Sequence, residues 1–297
     1  MQNTPRTRVL IVNDDGFKSG NLRALAAALS KVADVFVFAP ETEQSGVSQA
    51  FTVRRGLCVK QVPVDETTPV ATDGTKAWPY EFYSVSGTPA DCAKFGLGHF
   101  AKFGLESEPE GCAGVSSAAG EFDVCFSGVN VGENAGVSSL YSGTVAGARE
   151  AALWGVPGVA LSLRGCGGQM LNTAIDFAVK VVTQKLYQDI LPGTFWNVNF
   201  PKTTVEEFKG YKATTMALGM FTDHYDVKPS AEGQLWLLDG DKLWDKAPVD
   251  SDDYLLHQGY ATITPHRIDQ TDLKSLKLID EKVKGMGARS CNLEPGA

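Results

Sequence analysis

Arg8-Val9-Leu10-Ile11-Val12-Asn13-Asp14-Asp15-Gly16 is the stretch that organises this chain. An apolar, strand-like run ends in an amide, two adjacent carboxylates and a glycine. Carboxylates this close repel each other and resist desolvation unless a cation or hydrogen-bond donors compensate. Gly16 supplies backbone freedom for a tight turn. In open α/β sheets, ligands bind at the carboxyl edge of the strands. Two readings are open at this point. One is a metal-binding loop at the end of the first strand. The other is a solvated strand-to-helix turn, where Asn and Asp are common.

Reading onward, Leu22, Leu25, Leu29 and Val32 recur at helical spacing, with Ser19 or Asn21 placed to cap the start. Asp34–Pro40 is a second strand closed by proline. Strand, helix, strand over about thirty residues is a βαβ unit, so the two strands are parallel neighbours. The Glu41–Ser48 loop, with Ser45-Gly46, then lies on the same edge as Asp14 and Asp15. Val53–Val62 reads as a strand or hairpin arm and Tyr80–Val85 as another strand, with a loop excursion over Val64–Pro79. Thr88, Pro89 and Asp91 form a helix start, and that role accounts for Asp91 without any part in catalysis. Gly104–Glu121 reads as a second loop insertion.

Phe122–Phe126 returns to a buried strand and runs into Ser127–Asn134, which ends in glycines and amides that include Asn130 and Asn134. Ser142-Gly143-Thr144 leads a helix over Val145–Trp154. Free amides at such a start suit an oxyanion; Ser142 or Thr144 also suits a plain cap, and the two roles are compatible. Val156–Leu163 is a strand, Leu171–Leu186 an amphipathic helix, and Phe195–Phe200 another strand. Its Asn197 and Asn199 read as sheet-edge or core-satisfied amides.

Beyond Lys202 the pattern changes. Tyr211–Leu218, Gln234–Leu238 and Gly259–Thr264 read as strands, Asp272–Val283 as a short helix, and 285–297 as an irregular tail. Strands without their own core need a partner surface. The expected organisation is a core over 1–203 and a β-rich subunit-association region over 204–297.

Bulk properties narrow the function. The 297 residues carry a net charge of -8, which argues against a nucleic-acid polymer as partner. A small phosphorylated substrate stays open, because a bound cation reverses the local field. No signal peptide and no membrane span are visible. The six cysteines show no Cys-x-x-Cys spacing, which leaves no zinc site or disulfide framework and points to a reducing, cytoplasmic setting. Cys92 and Cys125 sit in apolar patterns and read as buried thiols.

Three strand ends therefore supply oxygen donors to one edge: Asp14 and Asp15, Ser45, and Asn130. These hard ligands suit Mg²⁺ or Mn²⁺, or Ca²⁺, and not zinc. None of His99, His224, His257 and His266 falls at such a strand end; each reads as a surface or packed histidine.

The sequence resembles the SurE family, the survival proteins that act as divalent-metal-dependent nucleotidases. The segments that carry the resemblance are Val12-Asn13-Asp14-Asp15-Gly16, Ala39-Pro40 with Gln44-Ser45-Gly46, Gly87-Thr88-Pro89-Ala90-Asp91-Cys92, Ser127-Gly128-Val129-Asn130 with Gly132 and Asn134, Tyr141-Ser142-Gly143-Thr144-Val145, Asn197-Val198-Asn199 with Pro201, and Gly259-Tyr260 through Thr264-Pro265. The resemblance implies an α/β, Rossmann-like three-layer core with a mostly parallel sheet, and a homodimer or homotetramer built through the C-terminal part. It implies a metal at Asp14, Asp15, Ser45 and Asn130, and release of phosphate from nucleoside monophosphates at the 5′ or 3′ position. Ser142, Gly143 and Thr144, with Asn130 or Asn134, are then expected to hold the phosphoryl oxygens. Either aspartate is a candidate to accept the proton of the attacking water. An aspartyl-phosphate route ranks lower, because a carboxylate held by metal is a poorer nucleophile. The alternative is a non-catalytic nucleotide-binding or scaffold protein that keeps the fold. The two insertions and the tail depart from the family pattern.

Overall fold

β1 (Arg8–Val12) sends alternate side chains into two cores. Val9 and Ile11 pack with Leu22, Leu25 and Leu29 from α1 (Gly20–Leu29). Leu10 and Val12 pack on the opposite face with Phe38 and Cys92. A strand with apolar residues at every position is what a sheet covered on both faces requires. The computed structural model describes residues 6–63, 65, 68, 78–105, 121–165, 169–219, 221–231, 233–284 and 286. The Val64–Pro79 and Gly104–Glu121 insertions and the tail lie largely outside the described residues, as do Cys112, Cys166 and Cys291.

The chain continues through β2 (Asp34–Pro40), β3 (Val59–Gln61), β4 (Glu81–Val85) and α2 (Pro89–Lys94), which runs through a π-turn into α3 (Ala101–Phe103). Then follow β5 (Val124–Val131), α4 (Ser138–Tyr141), α5 (Gly143–Leu153), β6 (Gly158–Leu163), α6 (Gln169–Thr183) and β7 (Thr194–Phe200). The C-terminal part holds β8 (Tyr211–Ala213), β9 (His224–Ser230), β10 (Gly233–Asp239), α7 (Asp252–His257), β11 (Ala261–Arg267) and α8 (Leu273–Val283).

Nine strands form the main sheet in the order β3-β4-β2-β1-β5-β6-β7-β11-β8. From β4 to β7 all pairings are parallel; β3 and β11 are antiparallel to their neighbours β4 and β7. Buried residues of α1 and α6 cover one face. Residues of α2, the π-turn and α5 cover the other. The fold is thus α/β, with a mostly parallel sheet between helical layers. Cys92 and Cys125 are fully buried. No described helix is long and apolar enough to cross a membrane.

The region after residue 203 divides. β11 and β8 extend the main sheet beyond β7, with Ala261 and Thr262 fully buried. The β-rich appendage proper is the antiparallel hairpin β9–β10, exposed at every described residue. The sequence pattern shows only its second strand, because Pro229 lies inside the first and proline breaks a strand pattern. The expected Val53–Val62 strand shrinks to three residues, since only Val59–Gln61 reaches the edge of β4. The two segments read across Phe122–Asn134 are one strand, β5.

Candidate active site

The chain leaves β1 toward β2 on one side, and β5 pairs on the other. This reversal is the topological switch point, where the loops after neighbouring strands part to leave a crevice. Gly16 turns the chain after β1 with a φ of +88°. An added Cβ there would lie 3.2 Å from the Pro40 carbonyl oxygen. Phe17 N donates to that oxygen at 2.9 Å, and Gln44 N donates to Asp14 O at 2.8 Å. The loop after β2 is thereby laced to the acidic loop.

Asp14 is buried against the start of α5. The Thr144 amide donates to its Oδ2 at 3.0 Å and the Thr144 hydroxyl to its Oδ1 at 2.5 Å. Gly143 permits this approach: a Cβ there would stand 3.0 Å from Asp14 Cβ and 3.2 Å from Oδ2. Burial pushes the Asp14 carboxyl above its usual range, and the two Thr144 hydrogen bonds pull the other way. Asp15 is pushed up to about 6 by burial, then by the negative charges of Asp14 and Glu43, with a Val131 amide bond opposing. Asp15 Oδ2 and Asn13 Oδ1 are buried without a hydrogen-bond partner among the described residues. Asn13 Nδ2 donates to Gly16 O at 3.0 Å, fixing the turn.

The loop after β2 and the end of β5 bring further donors to this pair. Ser45 donates its hydroxyl to Glu43 Oε1 at 2.6 Å. Asn130 Nδ2 donates to Gly132 O at 2.8 Å, which leaves its amide oxygen without a hydrogen-bond partner among the described residues. Asp14, Ser45, Asn130, Asn134 and Ser142 line one cavity of about 230 Å³, with Tyr141 and Phe221 also on its wall. A larger hollow of about 820 Å³ lies at the opposite, amino edge of the strands, beside Arg6, Asp34 and Glu81. Its carboxylates are already partnered, Asp34 by Arg6 at 3.1 Å and Glu81 by the Tyr83 hydroxyl at 2.7 Å, so chemistry rather than size selects the smaller cavity.

The far side of the cavity is held by amides and by the C-terminal region. Asn134 N donates to Asn199 Oδ1 at 2.7 Å, and Asn134 Nδ2 to Ser162 Oγ at 2.9 Å. Asn197 Nδ2 donates to Asn134 O at 2.8 Å. Asn197 and Asn199 are thus core-satisfied amides. Beside them, buried Asp252 accepts the amides of Gly136 and Ala217, each at 2.8 Å. Lys242 Nζ donates to Ala135 O at 2.7 Å and is ion-paired with Asp253 and Glu133. Burial raises Asp253 to about 6, against the pull of Lys242.

Most of the residues read from the sequence meet here. Asp14, Ser45, Asn130, Asn134 and Ser142 share the cavity, Asp15 adjoins Asp14, and Gly143 packs on it. Thr144 differs from the expectation of a phosphate ligand: both of its donors are spent on Asp14. Ser142 caps α5, its hydroxyl accepting from Val145 N at 3.1 Å. Asp91 closes a capping box with Thr88 and accepts two hydrogen bonds from Thr52, a structural role. None of the four histidines lines the cavity. His224 forms a possible ligand group with Asp226 and Asp239, but all three are exposed on the hairpin. Sequence patterns do not mark Glu43, Asn13, Tyr141 or Phe221 as site residues, nor the support from Asp252 and from the Lys242–Asp253 pair. Glu43 lies in the loop that carries Ser45 and Tyr141 begins the Tyr141–Val145 segment; Phe221 and Lys242 carry no signal, because only folding brings Phe221 to the cavity and Lys242 behind it.

The family model described as Survival protein SurE matches residues 9–223. The chain belongs to the SurE family. Among curated relatives of this SurE chain, the 5'-nucleotidase SurE of Thermosipho africanus is 33% identical over 276 residues, covering 92% of this chain and 96% of its own. The protein of the same description from Syntrophus aciditrophicus is 32% identical over 292 residues, covering 98% and 97%. The crystal structure of the SurE protein from Aquifex aeolicus superposes with a TM-score of 0.69 at 29% identity, covering 93% of this chain and 99% of that one.

Proposed function

We propose that this SurE chain is a divalent-metal-dependent phosphomonoesterase that hydrolyses nucleoside monophosphates, acting at the 5′ or 3′ position. The printed description of its relatives, 5'-nucleotidase SurE, supports the reaction class. The observation that carries the reading is the gathering of Asp14, Ser45 and Asn130 on one cavity beside Asp15, whose Oδ2 is buried without a hydrogen-bond partner among the described residues. Two neighbouring carboxylates with raised proton affinity and an uncommitted oxygen fit a cation better than they fit a water-filled turn.

The oxygen donors of Asp14, Asp15, Ser45 and Asn130 suit Mg²⁺ or Mn²⁺. Such an ion supplies Lewis acidity toward a phosphoryl oxygen and makes water a stronger acid. Thr144 orients Asp14 through two hydrogen bonds. Asp14 or Asp15 is the candidate to accept the proton of the attacking water. Gly143 N, at the first turn of α5, and the Asn134 side chain are the donors assigned to phosphoryl oxygens, with the positive end of the helix behind them.

Tyr225, Val227, Trp236 and Leu238 share one exposed face of the hairpin, as its register dictates. We assign this face to homo-oligomer contact. Light scattering after gel filtration checks it: Trp236→Ser should lower the mass toward that of a monomer.

The test of function is phosphate release from p-nitrophenyl phosphate and the common nucleoside monophosphates, with Mg²⁺, Mn²⁺ or excess EDTA. Turnover in either metal and its loss in EDTA are expected. Tight nucleotide binding without metal-dependent release would establish a scaffold instead.

A further inference from the structure

The cavity that gathers the oxygen donors also has an aromatic rim that the proposed hydrolysis does not use. Tyr141 and Phe221 both line it. Tyr141 is 62% exposed, and Phe221 is half-buried. Phe221 meets the Lys242 ammonium, 5.8 Å from its ring centroid.

Both rings ride on anchored backbone. Ser48 N donates to Tyr141 O at 2.8 Å, and the Ser48 hydroxyl donates to Leu140 O at 2.7 Å. These bonds fix the end of α4 to the loop that carries Ser45. Phe221 pairs with Lys242 in an antiparallel bridge at the base of the hairpin. Lys242 in turn grips Ala135 O, one residue beyond the cavity residue Asn134. Two segments distant in sequence are therefore tied down to present apolar rings at a polar crevice.

The cavity's size says what these rings meet. At about 230 Å³ it falls below the roughly 300–1,000 Å³ of sites that enclose a whole small molecule. An ester with its phosphate beside Asp14, Ser45 and Asn130 must leave part of itself at the rim. A nucleobase offers a planar π-face that stacks on aromatic side chains whatever its identity.

Resting on the phosphomonoesterase reading, we infer that Tyr141 and Phe221 are specificity-determining residues of this site, a stacking platform for the base. The platform selects phosphate esters that carry a planar aromatic group beyond the sugar, and it does so without choosing among bases.

The experiment compares AMP with ribose 5-phosphate, which lacks the base. In Phe221→Ala and Tyr141→Ala, kcat/KM for AMP should fall about 10- to 100-fold, mainly through KM. Ribose 5-phosphate should stay within about twofold of the wild type, which also controls for folding. Phe221→Trp should restore AMP. Equal losses on both esters, or no loss on AMP, would overturn the platform. Ligand-observed NMR with adenosine reads the same contact without metal or turnover: saturation should reach the base protons in the wild type and weaken in the alanine variants. If the wild type hydrolyses neither ester, the hydrolase reading falls, and the adenosine experiment alone decides the platform. Absence of transfer in the wild type, or equal transfer in the variants, overturns it.

Discussion

Asp15→Asn should make the metal-free protein more stable at pH 7.5 while abolishing its activity. In the folded chain Asp15 holds its proton to about pH 6, through burial and the nearby charges of Asp14 and Glu43. The unfolded chain gives that proton up near pH 3.9. Between these values the folded state binds more protons, so unfolding free energy falls as pH rises. The stabilising contribution is complete below about pH 3.9 and is lost as pH climbs through about 6. The rise from 3.8 to about 6 corresponds to about 3 kcal/mol at 1.36 kcal/mol per pH unit. Asp15 is only partly buried, and solvent screening reduces the effect to about 1–2 kcal/mol. Asparagine keeps the shape and can still accept the Val131 amide, so the substitution removes charge and little else. Urea unfolding in EDTA at pH 4 and pH 7.5 measures the difference. The variant should gain about 1–2 kcal/mol over the wild type at pH 7.5 and match it at pH 4. With Mg²⁺ or Mn²⁺ the order should reverse, because only the wild type gains from binding. A variant that is less stable than the wild type in EDTA at pH 7.5 would mean that the carboxylate is already compensated, and the cation site would lose its physical basis.

Asp14→Asn should cost several orders of magnitude in phosphate release with the circular dichroism unchanged; near-normal turnover would contradict the metal assignment. Thr144→Val removes the hydroxyl bond to Asp14, a charge-assisted bond of about 1.5–3 kcal/mol, so steady-state kcat should drop about 10- to 100-fold. Thr144→Ser should recover most of it, and equal defects in the two variants would deny the orienting role. Asp252→Ala strips the acceptor from the buried amides of Gly136 and Ala217 and should lower unfolding free energy by at least about 2 kcal/mol, read by urea titration. His224→Ala should leave turnover within about twofold in the same assay, since His224 lies on the exposed hairpin.

Several local features were legible because local physics fixes them. The βαβ unit shows in the periods of β1, α1 and β2. The Thr88–Asp91 capping box is written in four consecutive residues, and it assigns Asp91 to structure. The convergence of Asp14, Ser45 and Asn130 follows from parallel strands, whose carboxyl ends must share an edge. Thr144 is ambiguous in sequence, because a hydroxyl at a helix start can serve a phosphate or a neighbouring carboxylate. The choice depends on a contact spanning 130 positions. Phe221 and Lys242 carry no local pattern that distinguishes them from other surface residues.

The sequence by itself determined which edge of the sheet carries chemistry and which oxygen donors end there, because strand direction and side-chain period are properties of short segments. Only the tertiary structure decided how those donors are used. The hydrogen bonds of Thr144, the burial of the acidic pair and the approach of Glu43 to Asp15 all arise between residues far apart along the chain. They commit Thr144 to Asp14, leave Asp15 Oδ2 without a hydrogen-bond partner among the described residues, and carry Phe221 to the mouth of the cavity.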